Sequence, residues 1–157
     1  MARRSADNAA NGKPSFARRS DQFLAGLERA SSVTFVSHVH PDPDSLGSML
    51  GLAHLVETCL KKPTRLTRDG LISRAENRVM VDVLGIDLAP IEDIVWKDGE
   101  ALVMVDSQPN TGRHNFDPTM PLYAVIDHHD TPGDLEAWTL SMSAAAWAPP
   151  ARSCAAT

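Results

Sequence analysis

The chain has 157 residues, a formal net charge of −5 and only two cysteines. This length allows one domain that can bury a core. The longest apolar runs are too short to cross a membrane and the chain starts without a hydrophobic signal core, so we expect a cytoplasmic protein with no membrane partner and with Cys59 and Cys154 as free thiols.

The first 19 residues are predicted to form a disordered basic tail. Five basic residues and one acidic residue lie in residues 1–20, mostly among Ala, Asn, Ser and Gly. Such a basic arm could contact nucleic acid or a membrane surface, but its composition is more typical of a solvated tail. Ser20 is then predicted to cap a helix in which Phe23, Leu24, Leu27 and Ala30 recur at helical spacing.

A strand and a proline-containing loop follow this helix. Residues 33–36 are apolar and largely β-branched, and His38 comes just after them. Pro41 and Pro43 prevent both a continuing strand and an immediate helix, so Asp42 and Asp44 are predicted to lie on a tight loop.

The next elements are predicted to be helix, strand and helix. Ser45 is a candidate N-cap for a helix whose apolar stripe ends before Pro63, and the amides at its start are expected to face an anion. Residues 64–69 are predicted to form a strand. Residues 73–84 suggest a third helix that Gly85 terminates.

Two further segments, residues 101–105 and 122–126, are almost continuously apolar. Runs without polar alternation indicate strands that are buried on both faces, as in a parallel sheet covered by helices. The sequence therefore predicts an α/β fold, a doubly wound parallel sheet with flanking helices. In such sheets, ligands bind beyond the carboxyl ends of the strands.

Acidic and histidine-containing segments follow three of the predicted strands. Carboxylates and imidazoles gathered at one sheet edge are costly unless cations neutralise them. The mixture of oxygen and nitrogen donors suits Mn²⁺ and tolerates Mg²⁺ or Co²⁺, whereas a set without cysteine argues against structural zinc. Two such ions can clamp a phosphoryl group and activate water, so phosphoester hydrolysis is the reaction that this pattern serves best. The three segments are His38-Val39-His40-Pro41-Asp42-Pro43-Asp44, Val103-Met104-Val105-Asp106-Ser107 and Val125-Ile126-Asp127-His128-His129-Asp130.

These segments resemble motifs I, II and III of the DHH (Asp-His-His) phosphoesterase superfamily, in the form shared by small oligoribonucleases and nucleotide phosphatases. The resemblance runs over residues 33–130. It also includes four shorter matches, namely Gly47-Ser48, Glu76-Asn77-Arg78, Asp106-Ser107-Gln108-Pro109 and Gly112-Arg113.

The resemblance implies a ligand set for two Mn²⁺ ions. His38, Asp42 and Asp106 would hold one ion. Asp44, Asp106 and His128 would hold the other, so that Asp106 bridges the pair. Mg²⁺ or Co²⁺ could take the place of Mn²⁺.

The resemblance also implies roles in catalysis and substrate binding. Asp127 would orient the neighbouring histidine, and His129 would face the substrate phosphate or the leaving oxygen. Arg113 is a further candidate for phosphate contact. The implied substrate is a phosphorylated small molecule or a short oligonucleotide.

The carboxyl-terminal part does not continue the pattern. We predict a DHH domain at residues 20–137, truncated at its carboxyl end, and an irregular tail at 138–157 that a frameshift near residue 137 would explain. Two alternatives to a phosphoesterase stay open: a degenerate or truncated relative that binds only metal or nucleotide, and a pyrophosphatase or exopolyphosphatase. The sequence predicts no oligomeric state.

Overall fold

The computed structural model describes residues 18–109, 111–115, 122–129 and 140–141. These residues form six strands in one parallel sheet, in the order β3-β2-β1-β4-β5-β6. Each strand pairs in parallel with its neighbours. The strands are β1 (Ser32–Val36), β2 (Thr64–Arg68), β3 (Leu88–Pro90), β4 (Glu100–Val105), β5 (Ala124–Ile126) and β6 (Leu140–Ser141).

The strand order places a reversal between β1 and β4. The chain moves outward from β1 to β3, returns to pair β4 with β1, and then moves outward the other way. The register pairs Val33 with Ala101 and Val36 with Met104. This is the doubly wound order, and ligands of such sheets bind at the reversal. The predicted fold class is confirmed.

The sheet is buried on both faces, as its apolar runs predicted. Helices α1 (Arg19–Leu27), α2 (Pro43–Leu60) and α3 (Ala75–Leu84) contribute side chains to the core on one face, around Phe35 and Val103. On the other face, Met104 and Val125 belong to a second core cluster, against which Ile91 and Trp96 pack. Two core layers therefore hold the central strands in place.

The first two helices begin earlier than predicted. Helix α1 starts at Arg19, so Ser20 lies inside its first turn rather than at its N-cap. Helix α2 starts at Pro43 with Asp42 as its N-cap. Proline suits the first helical position because it has no N–H to leave unsatisfied, and this places Ser45 within the helix.

Helix α3 ends at Gly85, as predicted, with that residue at φ +60°. Its apolar residues are not all buried, since Val79, Val83 and Leu84 are 59%, 76% and 53% exposed. The short β3 was not predicted. It lies at the edge of the sheet, where its proline is tolerated because an edge strand need not donate every ladder bond.

The terminal segments are mostly outside the described residues. Residues 1–17 of the basic tail predicted at 1–19 fall there, whereas Arg18 is the N-cap of α1 and Arg19 its first residue. Most of the predicted irregular tail at 138–157, including Cys154, also lies outside the described residues. Cys59 is an exposed free thiol. Within the described ranges, the helices are too short or too polar for any of them to span a bilayer.

Candidate metal centre

A cleft of about 840 Å³ opens at the carboxyl edge of the sheet, beside the reversal between β1 and β4. Residues from all three polar segments line it, and so do residues of the loop after β4. Every metal, catalytic and substrate-binding residue predicted from the sequence lies at this cleft, namely His38, Asp42, Asp44, Asp106, Arg113, Asp127, His128 and His129.

Asp106 follows β4 directly and is only 6% exposed. Its backbone N–H donates to the carbonyl of Ile126 at 2.8 Å, and its φ is +53°. Aspartate and asparagine tolerate this left-handed conformation better than most residues. The backbone of Asp106 is therefore held between the ends of β4 and β5.

The two carboxylate oxygens of Asp106 face different histidines. Oδ2 accepts a hydrogen bond from Ser45 Oγ at 2.8 Å and lies 3.6 Å from His38 Nε2. Oδ1 lies 3.2 Å from His128 Nε2, yet it is buried and accepts no hydrogen bond from the part of the chain that the structure describes. A buried anionic oxygen without a hydrogen bond is costly, and a cation placed there would remove that cost.

His38 presents one ring nitrogen to this cluster. Its Nδ1 lies 2.9 Å from the carbonyl of Val39, and since a carbonyl only accepts, Nδ1 carries the proton of this bond. Its Nε2 lies 2.9 Å from Ser45 Oγ. A backbone bond that fixes one ring nitrogen is the usual way in which proteins orient a metal-binding histidine.

Asp42 joins the cluster from the start of α2. Its Oδ1 accepts from the backbone N–H groups of Asp44 at 3.0 Å and Ser45 at 3.1 Å. Burial alone would raise the pKa of Asp42, but the Ser45 N–H, the charge of His38 and the Asp44 N–H hold it below the usual value. The N–H groups at the start of α2 therefore donate to the carboxylate of Asp42. From the sequence we expected them to face an external anion.

Asp44 and His128 lie on the open side of the cleft, with side chains 73% and 70% exposed. Their Oδ2 and Nε2 atoms are 3.6 Å apart. The described residues include two compact groups of possible ligands, and within each group the donor atoms lie within 4.8 Å of one another. One comprises His38, Asp42 and Asp106, and the other comprises Asp106, His128 and His129. The first group is the predicted one, while the second includes His129 where Asp44 was expected.

Asp127 orients a histidine, but that histidine is His129 rather than the adjacent His128. Asp127 Oδ1 lies 2.7 Å from His129 Nδ1, and Gln108 Nε2 donates to Oδ2. Burial would raise the pKa of Asp127, but these two hydrogen bonds hold it low. The same bond to Asp127 raises the pKa of His129. Because Nδ1 is engaged, Nε2 is the nitrogen of His129 that is left for a ligand or substrate.

The loop after β4 carries Arg113 to the cleft. The N–H of Val39 donates to the Arg113 carbonyl at 2.5 Å, and Asp69 accepts from both the backbone N–H and the side-chain amide of Asn115. These bonds attach the loop to the ends of β1 and β2. Sequence reasoning assigned no role to Asp69, although its position just before Gly70, at the end of a predicted strand, was a usable signal.

A parallel α/β sheet with carboxylates and imidazoles gathered beside its reversal point defines a candidate metal-dependent hydrolase. The profile of the "DHH family, N-terminal domain" matches residues 32–157, and the chain belongs to this family. Members of the family are metal-dependent phosphoesterases and related hydrolases. The resemblance seen in the sequence is confirmed at this level.

The chain is similar in sequence to an uncharacterized protein of Methanocaldococcus jannaschii. It is 27% identical to this chain over 103 residues. The matched region covers 66% of this chain and 21% of the relative. The chain therefore spans about a fifth of the length of the curated relative that it matches.

Proposed function

We propose that this chain is the metal-binding catalytic domain of a Mn²⁺-dependent phosphoesterase that hydrolyses short oligonucleotides or nucleotides. The observation that carries the proposal is the side chain of Asp106. Its two oxygens face separate histidines. The oxygen Oδ1 is buried and accepts no hydrogen bond from any described residue. A bridging carboxylate between two cations needs this arrangement.

The ligand sets that we propose are those that the sequence resemblance implies. His38, Asp42 and Asp106 would hold one ion, and Asp44, Asp106 and His128 would hold the other. The distances from His128 Nε2 to Asp44 and to Asp106, 3.6 and 3.2 Å, support the second set. Hard oxygen donors combined with imidazoles favour Mn²⁺, and Mg²⁺ or Co²⁺ are the nearest substitutes.

The ions, when bound, would supply a hydroxide at neutral pH and neutralise charge on the phosphoryl group. The protein would orient the substrate. The hydrogen bond to Asp127 raises the pKa of His129 and so favours the protonated ring, whose Nε2–H would donate to a phosphate or leaving oxygen. Arg113 lines the cleft and adds a positive charge at its open side, so it would bind a phosphate oxygen.

An assay of the purified protein with four substrates tests this proposal. The substrates are bis(p-nitrophenyl) phosphate, a dinucleotide, adenosine 3′,5′-bisphosphate and pyrophosphate, each with Mn²⁺ and with excess EDTA. We expect Mn²⁺-dependent hydrolysis of the dinucleotide or the bisphosphate. Asp106→Asn should abolish it, whereas His54→Gln, which changes an exposed histidine of α2 outside the cleft, should not.

The other outcomes would contradict the proposal in distinct ways. Hydrolysis of pyrophosphate alone would indicate a pyrophosphatase-like enzyme. Retained Mn²⁺ binding with no turnover of any of the four substrates would indicate a family member that only binds metal.

A further inference from the structure

Ser45 lies at the centre of the proposed metal centre, although it is not one of its ligands. The residue is fully buried. Its hydroxyl oxygen lies 2.9 Å from His38 Nε2, 2.8 Å from Asp106 Oδ2 and 3.3 Å from Asp42 Oδ1. All three neighbours belong to the first ligand group. Within the described chain, this hydroxyl therefore connects a complete proposed ligand set.

Helix capping does not explain a hydroxyl at this position. The N-cap of α2 is Asp42, and its carboxylate already accepts the backbone N–H of Ser45. Alanine has the better helix propensity and would fill nearly the same volume in a buried first turn. What serine adds is one O–H donor directed at a carboxylate of the metal centre.

We propose that Ser45 is a positioning residue that divides the two oxygens of Asp106 between the two metal positions. This inference rests on the proposed function. A carboxylate turns readily about its terminal bond, since that torsion is broad and roughly two-fold. The hydrogen bond from Ser45 holds Oδ2 on the side of His38 and Asp42. Oδ1 is thereby directed to His128, which lies 3.2 Å away.

The hydrogen bond is compatible with metal binding by the same oxygen. An ionised carboxylate offers about four lone-pair sites on its two oxygens, so Oδ2 can accept the Ser45 proton and still coordinate an ion. Such supporting hydrogen bonds to a ligand typically contribute 10- to 100-fold to metal affinity. The contact with His38 Nε2 acts in the opposite direction. With the His38 proton on Nδ1, Nε2 competes with Asp106 for the single Ser45 proton, and a metal ion on Nε2 would have to displace this contact. Removing the hydroxyl therefore weakens binding if positioning dominates and tightens it if displacement dominates.

Mn²⁺ titration of the full chain tests which effect dominates. Isothermal titration calorimetry gives affinity and stoichiometry, and electron paramagnetic resonance reports the exchange coupling of a bridged Mn²⁺ pair. For Ser45→Ala we expect about 10- to 100-fold weaker binding and loss of the coupled signal. Ser20→Ala makes the same change at an exposed position in the first turn of α1, and should bind as the wild type does. Equal or tighter binding by Ser45→Ala, with the coupled signal intact, would overturn the inference.

A second pair of variants guards against a folding defect. Ser45→Thr and Ser45→Val add the same bulk at the same site, but only threonine keeps the hydroxyl. We expect the threonine variant to bind Mn²⁺ about 10- to 100-fold more tightly than the valine variant. Equal affinity of the two variants would refute the positioning role. If the wild type binds no Mn²⁺, the proposed function itself fails. If the wild type binds two ions and Ser45→Ala binds two ions with the same affinity, only the positioning role fails.

Discussion

Asp106→Asn is the most informative single change in this protein. Asparagine has nearly the shape of aspartate and tolerates the same left-handed backbone, which Asp106 adopts at φ +53°. Its carbonyl can still accept the proton of Ser45, while its NH₂ group takes the place of Oδ1 opposite His128. The change therefore removes the oxygen that would coordinate the ion near His128. It also removes one unit of negative charge that both metal positions would share.

The expected effect on stability follows from linkage. At a free Mn²⁺ concentration of 100 times the dissociation constant, each site adds about 2.7 kcal/mol to the free energy of unfolding. For a domain of this size that is a rise of about 5–11 °C in melting temperature. Losing one site should lower the Mn²⁺-induced shift by about that amount. Without metal we expect no loss of stability, because Asp42 and Asp106 offer carboxylate oxygens within 4.8 Å of each other and the variant relieves their repulsion.

Thermal melts with and without Mn²⁺, together with the binding stoichiometry, measure this effect. The matched control is Asp93→Asn, which makes the same charge change at an exposed position outside the cleft. The control should keep the full Mn²⁺ shift. If Asp106→Asn also keeps both the shift and the stoichiometry of the wild type, Asp106 does not bridge two ions.

Three further predictions concern the fold and the acid–base pair. Leu46→Ala removes a fully buried side chain from the core and should cost about 2–5 kcal/mol in denaturant unfolding. Gly26→Ala should be less stable than the wild type by about 1–3 kcal/mol despite the helix propensity of alanine, since its Cβ would lie 1.9 Å from the Tyr123 hydroxyl; equal stability would show that the Tyr123 ring moves freely. The bond between Asp127 and His129 should stabilise the fold most between the ordinary pKa values of the two groups, 3.8 and 6.5. Its contribution is lost as pH falls through the lowered pKa of Asp127 and as pH rises through the raised pKa of His129. The difference in urea midpoint between the wild type and Asp127→Asn, measured from pH 3 to 8, should therefore peak in that window, and a difference that does not vary with pH would contradict the assignment.

The centre of the sheet was predictable because the strands β1, β4 and β5 are almost continuously apolar. Residues 101–105 are all apolar and residues 33–36 contain only Thr34 as a polar residue, and nearly all of them are buried. Two-sided burial requires layers above and below a parallel sheet, so these runs already imply the architecture. The three-residue β3 gave no such signal. A short edge strand that contains a proline forms because it pairs with the adjacent strand, here β2, and its own composition does not indicate a strand.

The site was predictable as a set of residues but not as a set of contacts. Parallel strands bring their carboxyl ends to one edge, so the segments around His38, Asp106 and His128 had to meet. Local pattern could not show that Asp127 bonds His129 rather than His128, because that depends on where each ring points after β5 ends. The role of Ser45 was hidden for a related reason, since serine near a helix start reads as a cap and only the packed structure brings Asp106 to it.

The cleft is assembled from chain segments that are far apart. Ser45 and Asp106 are 61 positions apart, and they meet only when β4 has paired with β1. His128 arrives only when β5 has paired with β4. Pairings of such sequence separation incur their loop-closure cost before they are rewarded, so they form slowly and late. A bound ion would consequently stabilise contacts that form only after the transition state for folding. It would therefore slow unfolding and leave the rate of folding almost unchanged.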